Sequence, residues 1–194
     1  GTAVASLAAH NSNVLLLSRN TETIAAINDN HRHLGYDLAE NITAITSMKE
    51  LAEACKLIFL AVPSSQFRQM MKDFSPYLTP EHFLIHCTKG FDTNFDISKG
   101  DELNIIKENF HVMSEVIRQE SVVIRIGVLS GPNLAKEIMD GKPTASVVFS
   151  DFDEVIAAGI KALSSDYFSI FGSYELLGAE IAGALKNVIA IGAG

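Results

Sequence analysis

The stretch "KLIFLAVPSSQFRQMMKDF", residues 56 to 74, carries the pattern on which the fold turns. Its first half is a continuous apolar run that ends at Pro63, the signature of a strand buried on both faces. Its second half opens with Ser64 and Ser65, ordinary cap residues behind a proline that starts a helix well, and continues at helical spacing. A buried strand followed at once by a helix is the repeating unit of a parallel sheet.

The same unit recurs on either side. Gly1 to His10 is small and Ala-rich, and reads as a helix that permits close packing. "NVLLLS" (13–18) predicts a buried strand, "NTETIAAIND" (20–29) a helix opened by cap-type residues, and "NITAI" (41–45) a short strand. "SMKELAEAC" (47–55) reads as a helix capped by Ser47, with the Ser47-to-Glu50 spacing of a capping box. "HRHLGYDLAEN" (31–41) between them reads as irregular.

Downstream, "HFLIHC" (82–87), "SVVIRIGVLS" (121–130), "TASVVFS" (144–150) and "YFSIFGS" (167–173) read as strands. Helices are expected near Phe110 to Gln119, over "NLAKEIMDG" (133–141), over "DFDEVIAAGIKALSS" (151–165) with Asp151 as its cap, and as one long helix from Tyr174 onward. Phe91 to Glu108, rich in Asp, Asn and Lys, reads as a solvated loop. The alternation predicts an α/β fold, Rossmann-like and doubly wound, with a mostly parallel sheet and helices on both faces.

Bulk composition narrows the function. The chain has 194 residues, 47% hydrophobic and 20% charged, ordinary for a globular protein with a real core. Its net charge of −8 argues against broad nucleic-acid binding but leaves room for a local anion site. Cys55 and Cys87 lack metal-type spacing and read as buried free thiols of a reducing compartment. The expectation is also of no membrane span, since no run reaches the roughly 20 uninterrupted apolar residues a bilayer needs. The opening "GTAVASLAAHN" lacks the basic region of a signal peptide, and without an initiating methionine it suggests that something upstream is missing.

In doubly wound sheets ligands bind beyond the carboxyl ends of the strands. Arg19 follows the first of these strands, where an arginine suits the extra phosphate of NADP and an acidic residue would suit NAD. A solvated surface arginine is the plain alternative. Pro63 and its serines could be no more than a helix start. "TKG" places Lys89 at the expected cleft, with Gly90 allowing a sharp turn, although a strand-end lysine is also often merely exposed. "GPNLAKE" turns at Gly131 and Pro132 into a helix whose first amides could meet an anion or a polar substrate, or could simply be a connection.

"GALKNVIAIGAG" (183–194) sets Lys186 and Asn187 in an apolar run. Apolar residues nearly all round predict a buried helix, and a buried lysine must be paired, neutralised or functional. Snorkelling to the surface is the alternative. A desolvated lysine suits proton transfer near neutral pH, and Asn187 can hydrogen-bond an alcohol or carbonyl.

Taken together, "GTAVASLAAHN", "LAVPSSQFRQMM", "CTKGFD", "SGPNLAKEIMDGKPTA" and "GALKNVIAIGAG" resemble bacterial NAD(P)-dependent glycerol-3-phosphate dehydrogenase, in the family's order and over essentially the whole chain. The resemblance implies that Gly1 is the last glycine of a dinucleotide-binding turn whose strand lies ahead of it. It implies residues 1–173 as a cofactor domain lacking that first strand and 174–194 as the start of a helical substrate domain. It implies NADP or NAD as cofactor, with Gly1, Arg19, Pro63, Lys89 and Ala135 in contact. Lys186 would be the catalytic acid/base, joined by Lys89 at the cofactor–substrate junction. Lys89, Gly131, Asn133, Lys186 and Asn187 would line the substrate, dihydroxyacetone phosphate or glycerol 3-phosphate.

It further implies a cytoplasmic enzyme of phospholipid precursor supply, with a homodimer as its candidate assembly, and a piece that is inactive by itself. Two features depart from the family pattern: Asn133–Leu134 in "SGPNLA", and a longer segment from Gly90 to Ser130. The alternatives are a related β-hydroxyacid dehydrogenase, or a cofactor-binding module without catalysis.

Overall fold

The computed structural model describes residues 1–93 and 110–193. In chain order, α1 (Thr2–Ala8) leads to β1 (Val14–Leu17) and α2 (Thr21–Asn30), then the short strands β2 (Arg32–His33) and β3 (Tyr36–Asp37). Next come β4 (Ile42–Ile45), α3 (Met48–Ala54), β5 (Leu57–Leu60), α4 (Ser64–Phe74), β6 (Phe83–His86) and β7 (Asp92–Thr93). The second half runs β8 (Phe110–His111), α5 (Met113–Glu120), β9 (Arg125–Ser130), α6 (Ala135–Met139), β10 (Thr144–Ser150), α7 (Asp153–Leu163), β11 (Phe168–Ser173) and α8 (Leu176–Ala193).

Five strands form the main sheet in the order β11-β10-β9-β6-β5. The β5–β6, β6–β9 and β10–β11 pairs are parallel, and β9–β10 is antiparallel. Adjacent residues of β6 serve opposite faces. Leu84 packs with Phe67, Met71 and Val116 of α4 and α5, whereas Ile85 packs with Leu7, Val155 and Leu163 of α1 and α7. Helices therefore cover both faces, as the buried-strand pattern requires.

β1 pairs with β4, in parallel and in a sheet of its own. Between β1 and β5 runs a cavity of about 290 Å³, lined by Val14–Leu17 on one side and residues 57–62 on the other. Ala5 and Ala8 of α1 and Met70 and Phe74 of α4 complete its walls. Accordingly β1, read as a buried strand, is only half-buried along its whole length.

Other differences from the sequence reading are local. Residues 31–41 contain a hairpin, β2–β3, turned by Leu34 at φ 53° and Gly35 at φ 83°. Two successive positive φ angles give the tight turn that suits twisted strands, and "LG" signals it less plainly than "NG". The α5 helix starts later than expected, because Phe110 and His111 pair with Thr93 and Asp92. Asp151 does not cap α7: Phe152 holds that position, Ser150 Oγ accepts from its amide at 3.2 Å, and Asp151 faces Arg118 at 3.4 Å. Ser47 does cap α3, accepting from the Glu50 amide at 3.1 Å. Of the loop expected over Phe91 to Glu108, residues 94 onward lie outside the described residues.

Candidate active site at the strand ends

The ends of β5 and β6 are laced together. The Cys87 amide donates to Leu60 O at 2.8 Å, and Thr88 Oγ1 donates to Val62 O at 2.7 Å. This fixes the backbone from which Lys89 projects. Gly90 follows at φ 122°, a conformation open essentially to glycine, and a Cβ there would stand 3.0 Å from Ser64 Oγ, just beyond Pro63. Arg68 of α4 then ties down the next residues. Its Nε donates to Asp92 at 2.8 Å, one Nη to Glu120 and the other to Gln119 at 2.8 Å. Lys89 thus stands on a braced turn.

Helix α8 crosses above this turn. A Cβ at Gly183 would lie 3.8 Å from Lys89 Cγ and 3.9 Å from Ser130 Oγ, ordinary contact distances, so a small residue there lets the helix sit low on the strand ends. One turn on, Lys186 comes near enough to Lys89 for their charges to interact. Partial desolvation, and then the charge of Lys186, hold the Lys89 ammonium below the ordinary lysine range. Two lysines brought together at the carboxyl ends of a central strand form a site for an anion or for developing negative charge.

Lys186 itself is exposed, which corrects the expectation of a buried lysine. The apolar composition of α8 is as read, but only Leu176 and Glu180 of the helix are buried. Leu185, Val188, Ile189 and Ile191 have no cover among the described residues. One helix bears on the expectation of no membrane span. By length and composition α8, with mean hydropathy 1.4, could cross a membrane. The polar contacts of Glu180 with Ser114 and His86 tie α8 to α5 and to the end of β6.

The remaining residues fall at other places. Arg19 follows β1 and pairs with Asp73 at 3.4 Å, with the two side chains 70% and 44% exposed, so the pair is loose and solvated. Asn133 turns both ends of its amide to β10: its Nδ2 donates to Ser146 Oγ and its Oδ1 accepts from Thr144 Oγ1. Its side chain is committed to the fold rather than free for a ligand. A Cβ at Gly131 would meet Ser146 Oγ at 2.7 Å and Ala145 O at 3.0 Å, so glycine is required there by packing. Ala135 is the exposed first residue of α6, Gly1 precedes α1 with open space about its Cα, and Asn187 is exposed on α8.

Both cysteines are free and half-buried, and burial pushes the Cys87 thiol up to about 12. No group of three metal-ligating side chains occurs among the described residues.

One cluster escaped the sequence reading. Glu180 of α8 accepts from the Ser114 amide at 2.8 Å and from Ser114 Oγ at 2.6 Å, at the start of α5. His86, the last residue of β6, brings Nε2 to 2.9 Å from Oε1 of the same carboxylate, off the line of a good hydrogen bond. The His86 and Glu180 side chains are 1% and 3% exposed. Burial raises the Glu180 pKa, but His86 and the two Ser114 donors more than offset it and leave the carboxyl below its ordinary range.

Residues 1–155 match the family described as NAD-dependent glycerol-3-phosphate dehydrogenase N-terminus. Similar curated proteins include glycerol-3-phosphate dehydrogenase [NAD(P)+] of Alcanivorax borkumensis, 39% identical over all of this chain and 54% of the relative. The enzyme of the same name from Acinetobacter baylyi is 37% identical, over all of this chain and 52% of the relative. The chain thus spans about half the length of these relatives. The crystal structure of glycerol-3-phosphate dehydrogenase from Coxiella burnetii superposes with a TM-score of 0.79 at 24% identity, over 98% of this chain and 55% of that one, and so shares the fold. With the match running through four-fifths of its length, the chain belongs to the family of NAD-dependent glycerol-3-phosphate dehydrogenase N-terminal domains.

Proposed function

We propose that this chain is the cofactor-binding part of an enzyme that reversibly reduces dihydroxyacetone phosphate to sn-glycerol 3-phosphate with NAD(P)H. The observation that carries the reading is the approach of Lys186 on α8 to Lys89 past the carboxyl end of β6, near enough for their charges to interact, in a chain of this family. The donor set suits a phosphate-rich dinucleotide and a phosphorylated substrate: Arg19 and Lys89 are cations just past strand ends, and Lys186 is a third on the helix α8, in a chain of net charge −8.

Arg19 would exchange its loose contact with Asp73 for the 2′-phosphate of NADP, with NAD as the alternative cofactor. Gly1, Pro63 and Ala135 would border the dinucleotide. When bound, the nicotinamide supplies the hydride. Lys89 would draw the substrate phosphate or a polar group near the reacting carbon. Lys186 would stabilise the negative charge that grows on the substrate oxygen and give it a proton, and in the reverse direction would remove that proton. Asn187 would orient the same oxygen. Gly131 and Asn133 would shape the substrate side through the packing of their loop on β10.

In this reading residues 1–173 form the cofactor domain and 174–194 begin a helical substrate domain, which would cover the exposed face of α8. The cavity between β1 and β5 would receive a parallel strand from the longer protein, completing one continuous sheet. The setting would be a cytoplasmic enzyme supplying phospholipid precursors, in the form of a homodimer. The test is NADPH oxidation by the full-length protein carrying this chain. Turnover that requires dihydroxyacetone phosphate supports the reading. Turnover with a β-hydroxyacid's keto form instead, or cofactor binding without turnover, contradicts it.

A further inference from the structure

Helix α8 lies against the ends of β9 and β10 but buries little of its own surface. Its buried residues are Leu176 and Glu180, and its apolar side chains from Leu185 onward are exposed. It also carries Lys186 toward a like charge on Lys89, which pushes the two apart. Something must fix both its height and its rotation over the strand ends, and the polar cluster around Glu180 is placed to do so.

Three elements meet at that carboxylate. Ser114 offers two donors from the first turn of α5, where backbone amides lack partners within the helix and the dipole favours an anion. His86 approaches from the end of β6, three residues before Lys89. Its ring is itself wedged, edge-on, against Phe67 of α4 with centroids 6.0 Å apart. Glu180 therefore ties α8 to the strand that presents Lys89. Along a helix of 3.6 residues per turn, Gly183 lies between Glu180 and Lys186 in both height and rotation. Anchoring Glu180 thus seats Gly183 beside the Lys89 stem and turns Lys186 to the same side of the helix, near enough for its charge to act on Lys89.

We propose that Glu180, held by Ser114 and His86, is a positioning residue that sets the register of α8 and so brings Lys186 to Lys89. This rests on the functional reading above only in the consequence for turnover. The anchoring itself is independent of which substrate is used. A buried carboxylate with three partners is an expensive way to pin a helix, because each partner removed leaves charge or donors unpaired. An apolar contact would hold the helix down, but would not fix its rotation as directionally as two hydrogen bonds to one carboxylate.

The experiment uses the full-length protein carrying this chain, with Glu180→Gln and the milder Ser114→Ala. Turnover, the Michaelis constants for dihydroxyacetone phosphate and NADPH, thermal melting and hydrogen exchange of α8 amides are measured. The expected result for Glu180→Gln is a loss in kcat of about 10- to 100-fold, with the KM for NADPH changed by less than about three-fold. Exchange across residues 181–190 should accelerate while the sheet stays protected.

Ser114→Ala should show the same pattern at smaller amplitude, which keeps the inference testable if Glu180→Gln folds poorly. Normal kcat in both variants, or a lowered melting temperature with normal kcat in the folded fraction, overturns the positioning role. If the parent itself shows no turnover with dihydroxyacetone phosphate, the functional reading fails. In that case unchanged α8 exchange in the variants overturns the anchoring as well, and faster exchange confined to α8 upholds it.

Discussion

Gly183 rests on Lys89: a Cβ on the helix residue would come 3.8 Å from the lysine's Cγ, within ordinary contact distance. That single approach joins the helix bearing Lys186 to the strand end bearing Lys89. Alanine fits at 183 and should leave activity within about two-fold of the parent, whereas Gly183→Leu must lift the helix or displace the lysine. Turnover should fall sharply in the leucine variant alone. Equal activity in the two variants would show that the contact does not matter.

The charges of the two lysines are coupled. Removing the charge in Lys186→Met should raise the Lys89 pKa toward its ordinary value, read from the NMR titration of its side chain. The sign for stability follows. A lysine whose pKa falls on folding binds fewer protons in the folded chain, so it weighs against folding at neutral pH, and that cost fades as pH rises from its lowered value toward the unfolded one. Lys89→Met should therefore flatten the alkaline limb of the stability profile. An unchanged Lys89 titration in Lys186→Met would separate the two residues.

Arg19 and Asp73 form a solvated pair. Arg19→Ala should cost less than about 1 kcal/mol of stability, as expected for an exposed ion pair. It should weaken NADPH more than NADH by roughly 10- to 100-fold, since only NADPH carries the additional phosphate. Titration of both cofactors decides this. Equal losses would show that Arg19 is only structural, or that it contacts a part of the ligand the two cofactors share.

Gly131 is fixed by contact rather than by its backbone angle. In Gly131→Ala the new methyl group would press on Ser146 Oγ at 2.7 Å and on the Ala145 carbonyl at 3.0 Å. Chemical denaturation should show a loss of about 1–3 kcal/mol, the usual range for overpacking. No loss would mean that the β9–α6 loop yields freely.

Much of this arrangement was legible in the sequence. The run ending at Pro63 and the helix from Ser64 to Phe74 occur where the pattern of buried strand and apolar helix face requires. Lys89 stands at the end of a central strand for the same reason. What failed was legibility of contact. The apolar composition of α8 does not reveal which side is covered, so Lys186 was expected to be buried and is exposed. The Glu180–His86–Ser114 cluster joins residues from three distant segments, and no local spacing announces it. Asn133 reads as a ligand-facing amide until the two hydroxyls of β10 are seen to occupy it.

The cavity between β1 and β5 makes a prediction about the longer protein. If a parallel strand fills it, adding the upstream segment should raise the melting temperature and protect the amides of β1 and β5 from exchange. Unchanged exchange on both strands would leave the cavity without a strand.

In the proposed reaction Lys186 would deliver the proton and stabilise the growing charge, and turnover of Lys186→Ala in the full-length protein reads both roles at once. General acid–base help is worth roughly 10²–10⁴-fold, with electrostatic stabilisation in addition. The expected result is a kcat for dihydroxyacetone phosphate lowered by at least about 10²-fold, with NADPH affinity nearly intact. A kcat close to that of the parent would contradict it.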